Sequence, residues 1–113
     1  MNFGEALRTL RRETGFSQRE LAAKVDLDFT YISKLENDRL PAPAADTVVR
    51  ICEALGVAPE RLLSLGGKLP TDVQDTVGGS TAAQQFLREA QQLRITEDEW
   101  VHLRTELHRL REE

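Results

Sequence analysis

The chain has 113 residues, of which 40% are hydrophobic and 30% are charged, and its formal net charge at pH 7 is −4. This length suits one domain, or one small domain with an extension, and the apolar fraction excludes a disordered chain. The N-terminal residues are charged and no apolar run could span a bilayer, so we expect neither a signal peptide nor a membrane protein. One cysteine, Cys52, excludes an internal disulfide bond. We therefore expect a cytoplasmic protein.

The first predicted helix runs from about Phe3 to Thr14, with Gly15 as a stop signal after its C-terminal end. Phe3, Leu7 and Leu10 recur at helical spacing and form its inward face. Apolar residues keep this spacing through almost the whole chain, and no alternating run of β-branched residues indicates a sheet. The sequence therefore predicts an all-α fold.

A capping box opens the second predicted helix, because in Ser17-x-x-Glu20 each side chain can satisfy a backbone N–H of the first turn. Leu21, Ala22 and Val25 then form a narrow apolar face. A helix this short does not persist alone in water, so it must pack against a neighbour.

The segment Asp26-Leu27-Asp28 interrupts the apolar period, and Asp28 is placed to cap a third helix. The inward residues of that helix are Ile32 and Leu35. Its outward residues are too few and too mixed for a core but suit a groove lined with base edges: Phe29, Thr30, Ser33 and Lys34.

Two further helices complete the first part of the chain, after a connection that prolines 41 and 43 make stiff. The fourth helix is predicted from about Ala45 to Leu55, with Gly56 as its stop, and the fifth begins at Pro59. Their predicted buried residues are Val48, Ile51, Cys52, Leu55, Leu62 and Leu63.

Gly66-Gly67 marks the expected boundary between a domain of residues 1–66 and a helical C-terminal extension of residues 67–113. A short helix is predicted from Leu69-Pro70 to Gly78-Gly79. Two further capping boxes, Thr81-x-x-Gln84 and Thr96-x-x-Glu99, then predict one helix to about Leu93 and a last helix to about Arg111.

The last predicted helix has apolar residues at i, i+3, i+7 and i+10, namely Trp100, Leu103, Leu107 and Leu110. This is the spacing of a coiled-coil seam. Two interpretations stay open: the seam packs on the preceding helix, or it also closes a dimer. A segment with one Trp and one Phe forms only a thin core, which a partner would enlarge.

The ordered motifs of this chain resemble the helix-turn-helix of the lambda-repressor/Cro-like, or Xre, family. The matching segments are Ser17-Gln18-x-x-Leu21-Ala22 and Tyr31-Ile32-Ser33-Lys34-Leu35-Glu36-Asn37. The similarity continues through residues 50–57 and 60–63 and covers about residues 3 to 65. It implies a five-helix domain that binds double-stranded DNA. We expect no cofactor and no metal.

By that resemblance, the third helix would enter the major groove while the second crosses the phosphate backbone. Gln18 would donate to a phosphate, while Lys34 could donate to guanine and Phe29 could contact a thymine methyl. For Phe29 a core position beneath the second helix stays open. The predicted DNA contacts are Gln18, Arg19, Asp28, Phe29, Thr30, Tyr31, Ser33, Lys34, Asn37 and Arg39.

A narrower resemblance concerns Leu27-Asp28-x-Thr30-Tyr31-Ile32-Ser33, which is similar to the recognition helix of restriction–modification controller proteins. Those proteins commonly have a guanine-reading arginine where this chain has Phe29, so that role is not transferred. Tyr31 would keep a contact with the sugar–phosphate backbone.

The charge balance is unusual for a DNA-binding chain, for which a basic surface is the common expectation. Residues 1–66 hold nine Lys and Arg against ten Asp and Glu, net −1, and residues 67–113 hold six against nine, net −3. Arg19, Lys34 and Arg39 belong to the predicted DNA face, so we expect salt-sensitive but not strongly electrostatic binding.

Residues for catalysis are lacking in the sequence. His102 and His108 fall on roughly opposite faces of the last helix, and no Cys or acidic pair completes a metal set with them. Cys52 lies on an inward stripe, which favours a core role over a nucleophile. No glycine-rich phosphate loop is present.

Two functional hypotheses follow. The first is a homodimeric, sequence-specific transcriptional regulator, a repressor that binds a palindromic operator. The alternative is an antitoxin-like interaction module, whose C-terminal tail binds a protein partner and whose DNA binding serves autoregulation.

Overall fold

The computed structural model describes residues 1–112, and every regular element in that range is an α-helix. The helices are α1 (Phe3–Glu13), α2 (Gln18–Lys24), α3 (Phe29–Glu36), α4 (Ala45–Leu55), α5 (Glu60–Leu65), α6 (Thr71–Gly78), α7 (Thr81–Gln92) and α8 (Glu97–Glu112). The predicted all-α fold class is confirmed. The chain forms two compact units, an N-terminal unit of Met1–Gln74 and a C-terminal unit from Asp75 onward. The functional boundary predicted at Gly66-Gly67 stays a prediction.

One core holds α1 to α5 together in the N-terminal unit. The predicted inward residues of α2 to α5 are all buried, and so are Phe3 and Leu7 of α1, while Leu10 is partly buried. The most enclosed apolar side chains come from every one of these helices: Leu7, Leu21, Ile32, Leu35, Val48, Ile51, Cys52 and Leu62. Short helices persist here because each buries its apolar face against the others.

Helix α1 approaches the end of α3 so closely that only glycine fits at position 4. A Cβ there would lie 2.5 Å from the carbonyl oxygen of Leu35, inside van der Waals contact. The Gly4 N–H donates to Oδ1 of Asp38 at 3.2 Å, which joins α1 to the turn that follows α3. The start of α1 and the C-terminal end of α3 are therefore in direct contact.

Of the caps predicted at the starts of α2 and α3, one is confirmed and the other is wrong. Ser17 and Glu20 form the predicted capping box, with Glu20 N–H to Ser17 Oγ at 3.0 Å and Ser17 N–H to Glu20 Oε1 at 3.2 Å. Asp28 occupies the N-cap of α3, but its side chain makes no capping hydrogen bond. The predicted cap is therefore wrong. The carboxylate is exposed, so it can hydrogen-bond to water and does not need the helix N–H groups.

The C-terminal unit contains a helical hairpin of α7 and α8. Thr96 and Glu99 form the predicted capping box of α8. The other predicted box is wrong by one residue, because Ser80 caps α7 by accepting from Ala83 N–H at 3.1 Å and Thr81 is already helical. Gln84 donates instead to the Gly78 carbonyl.

Aromatic residues mark the contact between the two helices of this hairpin. The rings of Phe86 and Trp100 have centroids 6.3 Å apart, and Ala90 is the only buried residue described between Asp75 and Glu112. Leu93, on the predicted apolar stripe of α7, is 82% exposed.

Candidate nucleic-acid interface

Helix α3 has a buried face and an exposed face. Ile32, Leu35 and Glu36 are almost completely enclosed. Thr30 and Lys34 are both exposed, and four residues apart on a helix they lie one above the other. The fold therefore presents these two polar side chains together on the surface of α3.

The other two predicted outward residues of α3 are less exposed. Ser33 is half-buried, and Phe29 is 38% exposed at the start of α3. The alternative of a core position for Phe29 is therefore wrong. One face of its ring carries the guanidinium of Arg19, whose Cζ lies 4.3 Å from the ring centroid. Arg19 thus links the first turn of α2 to the first residue of α3.

Beneath this surface, Glu36 of α3 is the centre of a buried polar cluster. Its carboxylate accepts from Arg11 Nε at 2.6 Å and from Arg11 Nη2 at 2.9 Å, a bidentate pair. Gln18 Nε2 donates to Glu36 Oε1 at 3.0 Å, and Arg8 Nε lies 3.7 Å from the same oxygen. The cluster joins α1, α2 and α3 through one carboxylate.

Glu36 and Arg11 both stay ionised in this cluster. Burial alone would raise the pKa of Glu36, but hydrogen bonds from Arg11 and Gln18 and the positive charges of Arg11 and Arg8 outweigh it, so the pKa is lowered. The hydrogen bond to Glu36 raises the pKa of Arg11 despite partial desolvation. Every buried side-chain nitrogen or oxygen described for residues 1–112 has a hydrogen-bond partner.

Sequence reasoning missed the Arg11–Glu36 pair. One signal was available, since Arg11 follows Leu7 by four residues and therefore shares the inward face of α1. Likewise, Glu36 directly follows the buried Leu35. A charged residue on an inward face needs a partner of opposite charge, but the sequence does not say which one.

Gln18, predicted to donate to phosphate, is half-buried at the first position of α2. One of its amide N–H groups is directed at Glu36, which leaves the second N–H for another acceptor. The cluster therefore fixes the orientation of this amide.

The predicted contacts after α3 divide into an engaged side chain and a free one. Asn37 accepts from Arg8 Nη2 at 2.7 Å and donates to the Ser33 carbonyl at 2.8 Å, so its amide is used within the protein. The Arg39 side chain is exposed. Tyr31 is half-buried and packs against the core, while Asp28 is exposed.

The described part of the chain shows no site for metal binding or for thiol chemistry. Residues 1–112 contain no group of three or more His, Cys, Asp or Glu side chains placed to hold a metal ion. Burial, together with the nearby charge of Glu60, raises the pKa of Cys52 to about 11, so the thiol stays protonated in the core. Over the same residues, no helix has both the length and the apolar character that crossing a membrane requires.

Comparison with known proteins agrees with this geometry. A family model described as a helix-turn-helix domain matches residues 4–68, more than half of the chain. The HTH-type transcriptional regulator RghRB of Bacillus subtilis (strain 168) is 27% identical over 110 residues, which are 89% of this chain and 79% of RghRB.

Two solved structures have the same architecture. The restriction–modification controller protein C.AhdI from Aeromonas hydrophila is 32% identical, with a TM-score of 0.50 over 53% of this chain and 89% of C.AhdI. A chain of the SinR–SinI protein complex matches at 18% identity, with a TM-score of 0.53 over 98% of this chain and 99% of that one. At that identity the second match shows the fold alone, in both units of the chain.

The family match spans the helices that position the exposed face of α3, and the relatives are regulators rather than enzymes. The chain therefore belongs to the helix-turn-helix family of Xre-type, lambda-repressor-like DNA-binding transcriptional regulators.

Proposed function

We propose that this regulator is a homodimer that represses transcription by binding a near-palindromic operator. The observation that carries the proposal is the placement of Thr30 and Lys34 on the exposed face of α3, opposite the buried Ile32 and Leu35. A helix exposed along one face and anchored along the other can enter the major groove of B-DNA.

The chemistry of the exposed α3 side chains suits base edges. Lys34 can donate to guanine O6 or N7, and the Thr30 hydroxyl can donate or accept. Ser33, half-buried between them along the chain, can reach a base or a phosphate. These few contacts give sequence preference without requiring a strongly basic surface.

Contacts with the phosphate backbone come from fewer groups than the sequence indicates. The exposed Arg39 and the remaining N–H of Gln18 are available for phosphate oxygens, whereas the Asn37 amide is already hydrogen-bonded. The half-buried Tyr31 and the exposed Asp28 remain predicted DNA contacts in this proposal. Because phosphate contacts position a protein without reading sequence, specificity depends mainly on the contacts of α3 in the groove.

The second copy in the dimer would cover the distal half of the α8 seam. Trp100 and Leu103 are half-buried in the chain itself, but Leu107 and Leu110 are 58% and 70% exposed. Leucines at this spacing pack well against an identical helix. A two-fold dimer would place two α3 helices about 34 Å apart, one turn of DNA, which requires a near-palindromic site.

A second candidate function uses the same apolar surface for a different protein, as in the antitoxin-like alternative. The exposed leucines of α8 support it, and the structurally similar SinR occurs in a complex with SinI. Co-purification of a second small protein, in place of self-association, would favour this candidate over the homodimer.

Selection of bound sites from a pool of random duplexes tests the proposal, because it reports sequence preference, symmetry and half-site spacing together. We expect a near-palindromic site with two half-sites one DNA turn apart. Failure to enrich any sequence, or an asymmetric single site, would contradict a dimeric operator-binding regulator.

Lys34→Ala then tests the assignment of the reading face. We expect it to cost about 1–3 kcal/mol on the selected site and to relax preference at one position of each half-site. Arg39→Ala is the matched control, since loss of a phosphate contact weakens selected and random DNA alike and lowers the salt dependence. Equal losses on both DNAs for Lys34→Ala would rule it out as a reader.

A further inference from the structure

The Arg19–Phe29 pair joins the first turn of α2 to the first residue of α3. A guanidinium 4.3 Å from the centroid of an aromatic ring is within the range of a cation–π contact. Both residues are exposed, so the stacked pair lies at the surface beside Thr30. The pair is therefore positioned where α3 begins, the end that reads bases in a helix-turn-helix.

The donors of Arg19 are not used within the described residues. Among residues 1–112 its guanidinium makes no hydrogen bond or ion pair, whereas Arg8, Arg11 and Arg50 all donate to protein oxygens. Stacking occupies the flat face of a guanidinium and leaves its N–H groups free at the edge. Arg19 is thus held in place with its whole donor edge available.

A second cation–π pair shows what is particular about this one. The Lys24 ammonium lies 4.9 Å from the centroid of the Phe16 ring. Phe16 is half-buried against the core in the turn between α1 and α2, and Lys24 ends α2. Only the Arg19–Phe29 pair has its ring on α3, and only its cation has the fork of donors that matches guanine.

We propose that Arg19 is a base-reading, specificity-determining residue, which donates to O6 and N7 of a guanine while the Phe29 ring holds its guanidinium in position. The proposal rests on the DNA-binding function proposed above. Phe29 has no donor of its own and is a positioning residue in this arrangement. Stacking restricts the arginine before DNA arrives, which lowers the entropy lost on binding.

The test is site selection and affinity measurement on the selected duplex and on random DNA. Arg19→Ala should lower affinity for the selected site about 5- to 150-fold and abolish preference for one G in each half-site. Arg19→Lys keeps the charge but not the planar fork, so it should keep the salt dependence and weaken that preference less than Arg19→Ala does.

Two substitutions of the ring test its role. Phe29→Leu keeps an apolar side chain that can contact a thymine methyl, but removes the π face, so preference for the same G should weaken a few-fold. Phe29→Tyr keeps the π face and should keep the preference. Circular dichroism is the folding control, and both side chains are exposed.

Different outcomes separate this inference from the function beneath it. If Arg19→Ala weakens selected and random DNA equally, Arg19 contacts phosphate and the inference is overturned. If Phe29→Leu changes a different base position, the ring reads a base itself and the positioning role is wrong. If the native chain selects no site at all, the proposed function fails and this inference falls with it.

Discussion

The two units of this molecule differ in how far they bury their apolar side chains. In the N-terminal unit, five helices enclose one core and even bury an ion pair between Arg11 and Glu36. In the C-terminal unit, Ala90 is the only buried residue described, and several large apolar side chains face solvent: Phe86, Leu93, Val101, Leu107 and Leu110.

This difference supports a different proposed partner for each unit. The exposed face of α3 is small and largely polar, with Thr30, Lys34 and the stacked Arg19, which suits hydrogen bonding to DNA. The exposed surface of the hairpin is rich in leucine, which suits a protein partner. The N-terminal unit has a buried core of its own, whereas the C-terminal unit has little, which supports the proposal that a second chain covers it.

The largest expected effect is a loss of stability of the N-terminal unit. Glu36→Ala removes one partner of a buried pair and leaves the Arg11 guanidinium buried without its carboxylate, so we expect a loss of about 3–5 kcal/mol in the free energy of unfolding. Chemical denaturation followed by circular dichroism measures it.

Glu53→Ala is the matched control for Glu36, since this carboxylate is exposed on α4 and forms no ion pair within residues 1–112. We expect it to change stability by no more than about 0.5 kcal/mol. If the two variants were equally stable, the buried cluster would not stabilise the unit.

The next effect acts on assembly rather than on folding. Leu107→Asp and Leu110→Asp would place charges in the proposed dimer interface, so we expect the dimer dissociation constant to rise at least about tenfold. Both side chains are already mostly exposed in the single chain, so helicity should not change. Light scattering across a concentration series measures the dimer.

Val101→Asp is the control on the same helix, because this valine is 50% exposed but lies off the seam. It should leave self-association unchanged. If the dimer persists with both leucine substitutions, α8 does not form the dimer interface. Its exposed leucines would then favour a different protein as the partner.

The smallest effect compares matching caps in the two units. Ser17 caps α2 and Ser80 caps α7, each with its hydroxyl, and Ser→Ala at a cap costs about 1 kcal/mol. Helix α2 has only seven residues and is held in place by packing in the shared core. Ser17→Ala should therefore lower amide hydrogen-exchange protection throughout the N-terminal unit.

Ser80→Ala should instead affect only the first turn of α7, because the C-terminal unit has little core to transmit the change. Ser64→Ala, on exposed α5 surface, controls for loss of a hydroxyl that is not a cap. Equal loss of protection in both units after Ser80→Ala would show one cooperative unit and would erase the distinction.

Much of the fold was predictable because its signals are local. The bounds of α4, its buried stripe and its end at Gly56, where φ is 73°, all follow from apolar spacing and one glycine. The box of Ser17 and Glu20 likewise depends on neighbours in sequence. Local signals fail where either of two neighbouring residues could cap a helix, as with Ser80 and Thr81.

The sequence by itself determined an all-α chain, its helix-turn-helix and the set of side chains that α3 could expose, because helical period and capping act over a few residues. Only the tertiary structure decided which of them remain available. It brings Arg11 to Glu36 across 25 positions, engages the amide of Asn37 and stacks Arg19 on Phe29. Such pairs form because folding brings distant helices together, and no spacing along the chain records which side chains will meet.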